Sequence, residues 1–62
     1  MTITINAVAQ RYEPTQVWTA HSRLYVTKHT NRKRAIAWAL ARIEAEFPGF
    51  PEYEAIIVEE GT

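Results

Sequence analysis

The chain has no cysteine, so neither a disulfide framework nor a thiolate metal site can brace it. It has only two glycines and three prolines among 62 residues, too few for a flexible or low-complexity segment. No stretch approaches the roughly 20 consecutive apolar residues of a membrane-spanning helix, and the opening MTITINAVAQ lacks both a basic lead and a long apolar run. The expectation is a folded cytoplasmic domain with no membrane partner. Phosphate-binding loops, HExxH and nucleophile elbows are also missing.

A chain of this length makes a single domain spanning 1–62. It buries only about 60% of the surface its unfolded form exposes, so the core is small. Net charge is zero, but the sum conceals a division. Residues 1–43 hold all seven bases and only Glu13, for a net +6, while residues 44–62 hold the other six acids, for −6. Such halves either meet in the fold or offer a basic and an acidic surface to partners.

The longest periodic stretch runs from Thr30 to Pro48 and predicts the single helix over about 31–47. Thr30 or Asn31 supplies the N-cap, and Pro48 ends the helix by disfavouring helical geometry at Phe47. At 100° per residue, Ile36, Leu40, Ile43 and Phe47 form the expected buried stripe, with Ala39 beside them. Arg32, Lys33 and Arg34 in the first turn and Glu44 and Glu46 in the last oppose the helix dipole, so these charges do not follow from helix stability.

Strands are expected at about 2–10, 17–28 and 53–59. In the first, Ile3, Ile5, Ala7 and Ala9 alternate with Thr4, Asn6, Val8 and Gln10, the period of a half-buried strand. Glu13-Pro14-Thr15-Gln16 reads as a four-residue hairpin connection. In the second strand Trp18, Ala20, Leu24 and Val26 share the parity expected to face the helix, which leaves Arg23 and Tyr25 on the other side. Ala20-His21-Ser22 is its weak point, suited to a bulge. Phe50, between two prolines, should tuck under the core, and the run Ala55-Ile56-Ile57-Val58 suits a third strand with both faces at least partly covered.

The fold class expected is α+β. It is a small β-β-α-β domain with a three-stranded, mainly antiparallel sheet of order 2-1-3 and the helix on one face. A third strand parallel to the second is the alternative. One sheet face stays bare, and with Val8 and Tyr25 on it that face invites a partner or a dimer mate.

Three surfaces could carry function. Trp38 lies opposite the expected stripe among Ala37, Ala41 and Ala45, flanked by Arg34 and Arg42, and tryptophan is enriched at binding hot spots. A local cation-π arrangement with those arginines is the simpler explanation. Lys28, His29, Arg32, Lys33 and Arg34 at the helix N-terminus, with Arg23 and Tyr25 on the open sheet, form a candidate nucleic-acid or anion contact. A pI of 6.7 weighs against it. Glu52, Glu54, Glu59 and Glu60 are either a solvated protective edge or an acidic docking flank.

Catalysis and cofactor binding have no candidate residues. His21 and His29 would stand roughly 26 Å apart along an unbroken strand at about 3.3 Å per residue, too far to share a metal. The function expected is therefore a non-enzymatic protein-interaction module using the outer helix face to bind a larger protein or itself as a homodimer. By size analogy it resembles accessory or inhibitory proteins of the bacteriophage or mobile-element kind. Nucleic-acid binding through the helix N-terminus is the alternative.

Overall fold

A computed structural model describes residues 2–14, 18–28 and 31–61. His29 and Thr30 lie outside the described residues. Four elements follow in order: β1 (Thr2–Tyr12), β2 (Trp18–Thr27), α1 (Arg32–Glu46) and β3 (Glu52–Gly61). The sheet has the order β2-β1-β3, with β1 antiparallel to both neighbours. The expected topology is thus the one found, and β3 does not lie beside β2.

Asn31 caps the helix. Its backbone is extended and its side-chain oxygen accepts from the Arg34 N–H at 3.2 Å, which satisfies one of the free amides of the first turn. At the other end the Phe47 N–H reaches Ile43 O at 2.9 Å before Pro48 stops the helix. Gly49 follows with φ +87°, a left-handed conformation that glycine reaches without strain. The loop is then pinned from two sides: the Tyr53 hydroxyl donates to Phe47 O at 2.7 Å, and Arg11 donates to Gly49 O at 2.8 Å.

The core consists of Ile3, Ile5, Ala7 and Ala9 from β1 and Ala35, Ala39 and Ile43 from α1, all fully buried. Contacts at both ends set the alignment. Arg32 meets Glu60, which pairs with Ile3 across the sheet, while Phe47 stacks on His21, which pairs with Ala9. The helix therefore runs along β1. Fifteen residues at 1.5 Å rise and the six steps from Ile3 to Ala9 at about 3.3 Å both span roughly 20 Å. Large faces small at each end: Ile3 and Ile5 lie toward the Ala35 and Ala39 end, Ala7 and Ala9 toward the Ile43 and Phe47 end.

That alignment corrects the expected stripe. Its centre is Ala35, Ala39 and Ile43, while Ile36 and Leu40 lie to one side, only half-buried, and the C-cap Phe47 is half-buried against His21 and Arg23 of β2. The helix is turned so that small residues meet the sheet, and close approach of the backbones takes precedence over burying every large side chain.

The parity of β2 is also the reverse of that expected. Residues directly opposite one another in an antiparallel pair share a face. Ile3 pairs with Thr27, Ile5 with Tyr25, Ala7 with Arg23 and Ala9 with His21, so these odd-numbered β2 residues face the helix. Leu24 and Val26 pair with Asn6 and Thr4 and face away. β2 shows no bulge at Ala20-His21-Ser22; the irregularity falls in β3 instead, where Ile57 pairs with Ile5 and Glu59 with Thr4, leaving Val58 extra. Without that extra residue Glu60 would point away from α1. With it, Glu60 turns toward Arg32.

Candidate interaction surface

The helix flank nearest β2 holds a polar and aromatic cluster. Trp38 is half-buried and meets Tyr25 edge to face, with ring centroids 5.9 Å apart. The Arg42 guanidinium lies 5.8 Å from the Trp38 ring centre and 5.9 Å from that of Tyr25. The Tyr25 hydroxyl donates to the Glu46 carboxylate, which also pairs with Arg23 at 3.6 Å. Burial, and then that carboxylate, push the Tyr25 phenol above its ordinary pKa.

Trp38 is therefore not the centre of a bare outer face. Of the residues expected there, Arg34, Ala37, Ala41 and Ala45 are exposed, but the tryptophan that was to anchor them is engaged by Tyr25 and Arg42. What remains is a polar surface dotted with alanines, without a large apolar anchor.

The basic group is also divided. Arg23 and Tyr25 sit on the helix side of the sheet, not on the open face where the anion reading placed them. Arg32 makes a two-point contact with Glu60, Nε to Oε1 at 2.8 Å and Nη2 to Oε2 at 2.9 Å. Lys28, Lys33 and Arg34 are exposed near the helix N-terminus. Among the described residues, no group of three or more His, Asp or Glu side chains could hold a metal ion. Among those residues, too, no helix is long and apolar enough to cross a membrane.

Opposite charges from the two halves of the chain thus meet in the fold, through Arg23 with Glu46 and Arg32 with Glu60. Arg32 holds the Glu60 carboxyl below its ordinary pKa by hydrogen bonding. A depressed carboxylate contributes stability that is complete above its unfolded pKa and lost as pH falls through the folded one. Wild type should accordingly be more stable than Glu60→Gln at neutral pH. The gap should close as the solution is acidified through the carboxylate range, measured by urea titration at a series of pH values. A gap independent of pH would mean that the carboxylate charge is not what matters.

The sheet face away from α1 is the largest uncommitted surface. Among the described residues, six large apolar side chains stand more than half exposed: Tyr12, Trp18, Leu24, Val26, Ile56 and Val58. All six belong to strands, and register places them on one side. Leu24, Asn6 and Ile56 form one row across the three strands, and Val26, Thr4 and the bulged Val58 border the next. Val8 lies one row further between Ser22 and Glu54, and Tyr12 with Trp18 closes the far end. Two polar pairs among them are tied together: the Ser22 hydroxyl donates to Asn6 Oδ1 at 3.0 Å and the Gln10 amide donates to Glu54 at 3.4 Å.

The sequence reading correctly expected a bare face but populated it with the wrong residues, Tyr25 in place of Leu24 and Val26. It expected both faces of β3 to be at least partly covered, and on the open side that cover is slight, with Ile56 58% exposed and Val58 51%. The available signal was the length of the hairpin. Pairing of Tyr12 with Trp18 leaves five positions between the strands. A four-residue connection gives the opposite parity. Comparison with known proteins adds no assignment: no family model, no curated protein and no solved structure matches the chain.

Proposed function

We propose that the chain is a small protein-interaction module, without a catalytic role, that binds through the open sheet face. One observation carries this reading: among the described residues, the six large apolar side chains left exposed gather on that single face. A monomeric soluble protein seldom exposes a contiguous apolar patch beyond a few hundred Å² unless the patch has a use. The partner surface is apolar at its centre and is not acidic opposite β3, whose open side carries Glu52, Glu54 and Glu59. An accessory or inhibitory protein acts in this way, by occupying a surface of another protein.

Two variants separate the candidate surfaces. Immobilised wild type, Ile56→Asp and the triple variant Arg32→Ala, Lys33→Ala, Arg34→Ala are each challenged with the same extract of the source cells. Proteins retained by wild type and the triple variant but lost with Ile56→Asp are the expected result. Retention that survives Ile56→Asp overturns the sheet-face reading. Retention of nucleic acid that only the triple variant abolishes would instead favour the helix N-terminus, with affinity falling steeply with salt.

A further inference from the structure

We propose that the open sheet face is covered by a second copy of this chain, packed face to face about a two-fold axis along the strands, so that β2 of each copy lies over β3 of the other. This rests on the reading of that face as the binding surface and adds the partner and its orientation.

Area makes such a pair feasible but weak. Ten-residue strands at about 3.3 Å per residue and three strands at about 4.8 Å spacing give a face of roughly 33 by 14 Å. Two such faces bury on the order of 1,000 Å² once side-chain relief is included, near the lower limit for a specific interface. A dimer of that size exchanges with monomer and forms at micromolar to millimolar concentration.

Charge then selects the orientation. On the open face β1 and β2 present only uncharged residues from Thr4 to Tyr12 and from Trp18 to Val26, whereas β3 presents Glu52, Glu54 and Glu59. A two-fold axis across the strands would stack β3 on β3 and gather both sets of acids along one side of a partly dehydrated interface, which like charges oppose. An axis along the strands exchanges the edges. Each acid then lies over the neutral β2 of the other copy.

Register supports the same choice. With the axis along β1, each cross-strand row is matched with itself, reversed. Leu24, in the Asn6 row with Ile56, comes over Ile56 of the second copy. Val26, in the Thr4 row with Glu59, comes over a second Glu59 beside the bulged Val58, and Ser22, in the Val8 row with Glu54, comes over a second Glu54. Leu24 and Ile56 meet each other, Glu52 and Glu54 meet Ala20 and Ser22, and Glu59 meets the uncharged Val26, so no acid faces another acid. Aligned packing of two sheets is an ordinary arrangement for twisted antiparallel strands.

Sedimentation equilibrium from about 10 μM to about 1 mM tests the association, with circular dichroism to verify folding. Wild type should pass from monomer to dimer. Leu24→Asp and Ile56→Asp, both at sites already exposed in the single chain, should stay folded and associate at least tenfold more weakly. Because the chain has no native cysteine, a short bis-maleimide reports the orientation directly. A mixture of Ser22→Cys and Glu54→Cys proteins should give more cross-linked dimer than either alone.

Wild type that stays monomeric throughout the range overturns the self-association, and the retention experiment with the two variants still decides whether the face binds another protein. A dimer unaffected by either Asp variant overturns the proposal and moves the contact to a strand edge. Absence of an excess of mixed cross-link overturns the orientation.

Discussion

Ile5→Ala should remove much of the stability of this domain. Ile5 is fully buried at the middle of the central strand, between Tyr25 on one side and Ile57 on the other and beneath the helix. Truncating such a residue costs about 2–5 kcal/mol, made up of lost transfer free energy and an unfilled cavity. A 62-residue domain has only about 3–9 kcal/mol in all, at 0.05–0.15 kcal/mol per residue. Collapse around the cavity is hindered because the neighbouring core residues Ala7, Ala35 and Ala39 are already short and cannot extend to fill it. In urea, with a slope near 1 kcal/mol per molar for so small a protein, the midpoint should fall by about 2 M or more. Ile5→Val, which removes one methylene, should cost about 0.5–1.5 kcal/mol. Equal, small losses for both variants would place Ile5 outside the core.

The topology was legible because it depends on features that a single sequence carries strongly. Ile3, Ile5, Ala7 and Ala9 alternate with polar residues over a full strand, which fixes both the strand and its inner face. Asn31 and Pro48 punctuate the helix chemically at both ends. Once the third strand has to return across the sheet after a helix, few orders remain, and placing it beside β1 leaves the helix over the central strand.

The faces of β2 and α1 were less legible, for different reasons. Both parities of β2 contain residues able to pack, Leu24 and Val26 on one and Tyr25 and Thr27 on the other, so alternation alone cannot choose between them. One residue in the hairpin decides, and it inverts every side chain of the strand together. Tyr25 can occupy the covered side because its ring packs under Trp38 while its hydroxyl reaches Glu46 at the rim. In α1 the large residues Ile36, Leu40 and Phe47 suggested the wrong line, since ranking by size ignores how near the helix must come to a sheet whose central strand buries the short side chains of Ala7 and Ala9. The open face followed from the topology, but its composition required the register.

The rotation of the helix also changes what Trp38 does, and Trp38→Ala measures it. On an unoccupied outer face its truncation would leave stability within about 0.5 kcal/mol, as surface substitutions usually do. Here the indole is half-buried, meets the Tyr25 ring at 5.9 Å and is covered by Arg42. Full burial of a tryptophan is worth about 3–5 kcal/mol on truncation, and an aromatic pair adds about 0.5–1.5 kcal/mol beyond area. Half of the first with a share of the second gives an expected loss of about 2 kcal/mol in urea unfolding. Ala41→Gln, on the exposed side of the same helix, should cost less than about 0.5 kcal/mol. Association should respond in the opposite sense. At concentrations and temperatures where it remains folded, Trp38→Ala should dimerise as wild type does, because Trp38 lies across the sheet from the open face. Ile56→Asp should keep its stability and lose the dimer. If Trp38→Ala abolishes association without unfolding the chain, the helix flank and not the sheet is the contact, and the assignment of the two faces must be exchanged.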